Sequence, residues 1–225
     1  MLSLQSLSFK IQDQKVFENI SITLFPSSIV YLKGKNGSGK TSLLRILAGI
    51  QKSTKGIITY GKESIPIDKF DKPYCTYIGH KTGLKQELSV IDNLKYWAQI
   101  YNSEELVDAA IIYFQLQEHI YKKYYELSAG NQKKVALAKL ITCQSNFWLL
   151  DEVDTNLDKE NKKLLMNLIV SQADSGGIVF ISSHNKPDIK TALTIFLFLF
   201  GRKPTRTMTK RRPIVNSNAP GLASI

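Results

Sequence analysis

Three short stretches of this sequence hold residues in arrangements that chemistry needs. Gly34-Lys35-Asn36-Gly37-Ser38-Gly39-Lys40-Thr41 spaces its glycines so that the backbone can wrap a phosphate with its amides pointing inward. Lys40 can then neutralise the outer phosphates, and the Thr41 hydroxyl can ligate magnesium. Phe147-Trp148-Leu149-Leu150-Asp151-Glu152 is an apolar run delivering two carboxylates at its end. Asp151 suits holding magnesium through water, and Glu152 suits orienting and deprotonating an attacking water. Leu127-Ser128-Ala129-Gly130-Asn131 opens a helix with a hydroxyl, a small residue and a glycine, leaving backbone amides free to meet a phosphate. Singly, these read as a glycine turn, a capping acidic pair and an ordinary N-cap. In succession they describe binding and hydrolysis of a nucleoside triphosphate.

Such residues need rigid elements behind them. Residues 2–9 and 20–25 alternate in polarity as strands do, and 29–32 is a short apolar run leading into the glycine loop. A helix over 40–48 carries its apolar stripe at Leu43, Leu44 and Leu47, and Gly49 stops it. Residues 57–60 and 74–78 read as further strands. From 89 to 142 the period becomes helical: Val90, Ile91, Leu94 and Ala98 share a face, Ser103 is expected to cap a helix over 104–116, and Ser128 opens another. Strand 147–150, helix 159–172 and strand 178–182 follow. Strands alternating with helices imply an α/β fold with a mainly parallel, helix-covered sheet, and 89–142 reads as an inserted helical subdomain.

Composition narrows the function classes. A chain of 225 residues that is 43% hydrophobic can build one substantial core. Of its net charge of +11, six charges fall in residues 201–225, a stretch without acids that reads as a basic, disordered tail. The body shows no basic stripe interleaved with aromatics, so no nucleic acid partner is expected. Cys75 and Cys143 lack the paired spacing of metal or dithiol chemistry and read as buried thiols. The first nine residues lack the form of a signal peptide. The longest apolar run, 192–200, is half of the ~20 residues that a spanning helix needs, so any membrane role is expected to be peripheral.

The order of the three motifs resembles that of the ABC ATPase family, Leu127 to Asn131 being similar to its signature Leu-Ser-Gly-Gly-Gln. The resemblance implies a P-loop NTPase (ABC ATPase) fold: a mainly parallel sheet, N-terminal antiparallel strands, and a helical subdomain (80–145) inserted into a core of 1–79 and 146–200. It implies ATP and Mg2+ as ligands and a head-to-tail homodimer. In that dimer Ser128, Ala129, Gly130 and Asn131 of one copy cover the ATP held by the P-loop of the other. His184 falls where the family carries its switch histidine, implying contact with the γ-phosphate beside the catalytic Glu152. Asp158 matches the last acid of the family's D-loop, implying contact across the dimer. Ile11 falls where many members stack an aromatic on adenine, so the base would meet packing without stacking. Val153 replaces a common proline.

His80 stands where most members carry a glutamine linking the magnesium site to the membrane partner. Gly79-His80-Lys81-Thr82-Gly83-Leu84-Lys85, with Leu88-Ser89, Asn93-Leu94, Ala129 and the run from Lys133 to Ala138, looks like the haem-exporter ATP-binding subunits of cytochrome c maturation. That resemblance implies integral membrane permease subunits as partners, haem as an indirect cargo, and a peripheral place on the cytoplasmic face of a bacterial inner membrane. Residues 81–94 are the expected permease contact. The alternatives are a subunit of another small exporter, for drug or lipid, or a nucleic-acid-associated member of the family.

Overall fold

The computed structural model describes residues 1–61, 65–69, 74–155, 157–183 and 193–196. In chain order the elements are β1 (Leu2–Ile11), β2 (Gln14–Leu24), β3 (Ser28–Lys33), α1 (Lys40–Leu47), β4 (Lys55–Tyr60), β5 (Ile65–Pro66), β6 (Thr76–Ile78), α2 (Val90–Tyr101), α3 (Val107–Tyr113), α4 (Ala129–Thr142), β7 (Phe147–Asp151), α5 (Lys159–Asp174), β8 (Ile178–Ser182) and β9 (Leu193–Phe196). They build two sheets. One is antiparallel, in the order β2-β1-β4-β5; the other is parallel, in the order β6-β7-β8-β3-β9. The α/β reading and the antiparallel N-terminal strands are thus both present.

The parallel sheet is covered on both faces, which is why its strands are apolar throughout rather than alternating. Every residue of β7 and β8 is buried. Phe147, Leu149, Phe180, Val30 and Leu32 face α1 and the antiparallel sheet, whereas Trp148, Leu150, Val179 and Ile181 face the helices α2 to α5. The register aligns Asp151 with Ser182, so the carboxylate and a neighbouring hydroxyl emerge together at the carboxyl ends of adjacent strands. That edge is where an open α/β sheet binds ligands.

Two expectations need correction. Ser103 does not cap a helix over 104–116; its hydroxyl is buried and donates to the carbonyls of Ala98 (3.2 Å) and Thr142 (2.5 Å), tying α2 to the end of α4. The helical turns there shorten to a 3-10 turn at Glu104–Leu106 and then α3. The first hairpin is longer than its apolar alternation showed, since β1 runs to Ile11 and β2 begins at Gln14. Cys143 is buried and Cys75 half-buried; both are free, and burial pushes their thiols up to about 11 and about 12.

Helix α4 carries a buried lysine that links it to the loop after β6. Lys139 is 2% exposed; its Nζ donates to the Thr82 carbonyl at 2.8 Å and lies 3.7 Å from the centre of the Trp97 ring. Burial draws its ammonium down to about 8, the nearby Cys143 working against the shift. Because the folded value lies below the ordinary 10.5, the folded state disfavours the charged form. That penalty is complete below pH 8 and is relieved as pH climbs toward 10.5. Denaturant unfolding of the parent and of Lys139→Met is therefore expected to diverge with pH. The parent should gain about 2 kcal/mol relative to the variant between pH 8 and 9.5, and parallel curves would contradict a buried ammonium.

Candidate active site

The glycine loop joins β3 to α1, and its backbone takes conformations that suit glycine. Gly37 and Gly39 have φ of 78° and 91°, and a β-carbon on Gly39 would come within 2.5 Å of Val16 Cγ1. Gly39 opens α1 without a side-chain cap, so the first amides of the helix are open to an anion. Lys40 is buried, and its Nζ donates to the carbonyls of Gly34 (2.9 Å) and Lys35 (3.2 Å). The Ser38 hydroxyl is buried and has no hydrogen-bond partner among the described residues. An orphan hydroxyl beside the open amides at the start of α1 fits a phosphate, whose oxygens accept from both.

At the carboxyl end of β7 the two carboxylates are held differently. Asp151 Oδ1 accepts from the Ser182 hydroxyl at 2.6 Å, and Oδ2 lies 3.4 Å from the Tyr77 hydroxyl. Burial, and secondarily the Asp151 carboxylate, push Tyr77 up, so its hydroxyl stays protonated as a donor. Glu152 sits in the left-handed region at φ 52°, a conformation that strains a non-glycine residue by about 1–2 kcal/mol. Its amide donates to the Ser182 carbonyl (2.9 Å) and hydroxyl (3.1 Å), which hold the backbone in place. Strain of this kind concentrates where a side chain must be aimed.

A cleft of about 330 Å³ joins these parts: Thr41, His80, Thr82, Ala129, Lys133, Asp151 and Glu152 are among its walls. The structure therefore brings together Thr41, Asp151, Glu152, His80 and Ala129 of the expected set. Ser128, Gly130 and Asn131 do not line the cleft; they form the start of α4, where Ser128 Oγ accepts from the Asn131 amide at 3.3 Å. Asp158 caps α5 through the Asn161 amide at 2.8 Å, and that hydrogen bond holds its carboxyl below the usual range. Ile11 is 53% exposed at the tip of the first hairpin. His184 lies outside the described residues, as do the apolar run at 192 and 197–200 and the tail at 201–225.

Beyond His80, the loop is pinned by one buried side chain. Asn93 Oδ1 accepts from the Lys85 amide at 2.8 Å, and its Nδ2 donates to the carbonyls of Lys85, Leu88 and Ser89. Sequence reading missed Tyr77 and Ser182 as Asp151's partners, because a strand-borne hydroxyl gives no local signal of what it faces across a sheet.

Thr41, Asp151 and Glu152 offer hard oxygen donors of the kind Mg2+ takes, an ion usually bound by one or two carboxylates with water and phosphate completing its shell. Among the described residues no three His, Cys, Asp or Glu stand close enough to hold a metal ion by themselves, so the phosphates would have to share it.

A glycine loop at a helix start, with carboxylates at the ends of parallel strands, defines a nucleotide-binding protein of the P-loop class. The family model for ABC transporters matches residues 17–155. The chain belongs to the ABC transporter family. Curated relatives include the cytochrome c biogenesis ATP-binding export protein CcmA of Rickettsia bellii, 56% identical over 192 residues, which cover 85% of this chain and 97% of the relative. The protein so named in Wolbachia pipientis is 39% identical over 189 residues, covering 84% and 91%. Among solved structures, an ABC transporter ATP-binding protein from Pyrococcus furiosus superposes with a TM-score of 0.75 at 26% identity, over 87% of this chain and 96% of that one. A dimeric ATP-binding cassette with ADP and Pi bound shares the fold, with a TM-score of 0.76 at 18% identity.

Proposed function

We propose that this chain is the ATP-hydrolysing subunit of an exporter that serves cytochrome c biogenesis, with haem as the cargo of the complex. One observation carries the hydrolytic part: Thr41, Asp151 and Glu152 share one cleft with His80, at the end of the parallel sheet and beside the glycine loop. The relatives' named role, at 56% identity over nearly their whole length, supports the export part.

The loop Gly34 to Thr41 cradles the phosphates of ATP, with Lys40 turning from the carbonyls of Gly34 and Lys35 toward the outer phosphates. Thr41 and Asp151 hold Mg2+, which when bound offsets charge on the phosphate oxygens. Glu152 accepts a proton from water as the water oxygen attacks the γ-phosphorus; the bond to the β–γ bridging oxygen breaks, and ADP and phosphate leave. His184 contacts the γ-phosphate, and Ile11 packs against the base. Ser128, Ala129, Gly130 and Asn131 of a second copy close the site, with Asp158 at the shared interface. In this reading 1–200 is one ATP-binding domain, the segment 80–145 is a helical subdomain and 201–225 a basic tail.

The His80 loop and the following residues to Leu94 are the contact with integral membrane subunits. Such partners supply the path across a bacterial inner membrane, with this chain on its cytoplasmic face; among the described residues no helix is long and apolar enough to cross a membrane. Affinity purification of the tagged chain from its own cell's membranes, with partners identified by mass spectrometry and haem read by absorbance, tests this. Cytochrome c biogenesis subunits are expected. An unrelated permease would sink haem export and leave the ATPase reading standing.

A further inference from the structure

Gly79 follows the last residue of β6 and precedes His80, and its φ is not positive, so its backbone does not call for a glycine. The reason for a glycine there is space: a β-carbon would overlap the Tyr77 hydroxyl and come within 2.7 Å of Tyr77 Cζ. Residues two apart along a strand share a face, and the phenol leans over the place that a side chain at 79 would fill. From that seat its hydroxyl reaches Asp151 Oδ2 at 3.4 Å, while the Ser182 hydroxyl holds Oδ1 at 2.6 Å. The Arg45 guanidinium, one turn beyond Thr41 on α1, stands beside the same phenol oxygen.

We propose that Tyr77 and Gly79 form a positioning pair for the carboxylate that holds Mg2+. Gly79 leaves the space in which the Tyr77 hydroxyl is seated against Asp151, and this ties the Mg2+-dependent part of nucleotide binding to the place of the His80 loop. A carboxylate held at one oxygen can still turn about its terminal torsion, which is broad. Donors on both oxygens fix its plane, and hydrogen-bonded partners of a metal ligand raise affinity by orienting it. Because the phenol is seated against Gly79, a shift of the backbone there moves the hydroxyl relative to Asp151. The proposal rests on the reading that Asp151 helps to hold the ion.

The probe is a non-hydrolysable ATP analogue, titrated calorimetrically into the full chain with Mg2+ and again with a chelator. The ratio of the two affinities reads the ion's contribution. Tyr77→Phe removes one oxygen and keeps the ring; it is expected to match the parent with chelator and to lose about three- to tenfold of the gain from Mg2+. Gly79→Ala, whose methyl group pushes the phenol aside, should lose as much, and Tyr77→Phe added to it should cost nothing more. Asp151→Asn should also lower the gain. If it does and Tyr77→Phe keeps the parental gain, the positioning pair is overturned while the metal reading stands. A Tyr77→Phe protein weakened by the same factor with and without Mg2+ would have lost only structure, which overturns the pair as well. If Asp151→Asn keeps the parental gain, the metal reading and the pair fall together.

Discussion

Replacing Lys40 with alanine is expected to weaken ATP binding by about a hundredfold or more, corresponding to roughly 3 kcal/mol from lost charge-assisted contacts. Lys40 Nζ is held within its own loop by the carbonyls of Gly34 and Lys35, so the ammonium is poised where phosphate oxygens would arrive. The orphan Ser38 hydroxyl and the open amides at the start of α1 cannot replace it, because neither carries a full charge. Titration calorimetry with ATP checks this, alongside a thermal melt to show that the variant is folded. A loss of less than tenfold would place the phosphates elsewhere.

Replacing Glu152 with glutamine is expected to have the largest effect on turnover while leaving binding intact. General-base catalysis contributes about 10²- to 10⁴-fold, so hydrolysis should fall by about a thousandfold with little change in ATP affinity. The isostere keeps the shape of the side chain, and the amide contacts to Ser182 that fix φ at 52° do not involve the carboxylate. The variant should therefore bind ATP, close, and remain closed. Size-exclusion chromatography with ATP and Mg2+ should show a dimer that the parent loses as it hydrolyses. A variant that turns over at the parental rate would remove Glu152 from the chemistry.

Much of this site was legible because its constraints are local. Positive φ at Gly37 and Gly39 and the cap at Ser128 are conditions on a few adjacent residues, and they leave a mark on sequence. The strand-ending carboxylates were legible for the same reason. What could not be read depends on residues far apart in the chain. Ser103 has the composition of a cap, but a tertiary contact to the Thr142 carbonyl, 39 residues on, takes its hydroxyl. Ser182 and Tyr77 reach Asp151 from neighbouring strands only because the parallel register aligns them. Lys139 looks like an exposed helical lysine, yet the loop after His80 and the Trp97 ring enclose it. The hairpin tip at Ile11 to Gln14 pairs without apolar alternation, since its pairing is backbone hydrogen bonding at an exposed edge.

In the proposed head-to-tail dimer each ATP is held between the glycine loop of one copy and the signature helix of another. Two differently tagged copies, one carrying Lys40→Ala and the other Ser128→Arg, can be co-expressed with the membrane subunits and the mixed dimer isolated through both tags. A head-to-tail dimer of these copies contains one wholly intact site and one doubly damaged one. This mixed complex is expected to recover ATP turnover that neither variant shows as a homodimer. A mixed complex as inactive as its parents would mean that loop and signature serve the same copy's nucleotide, which contradicts it.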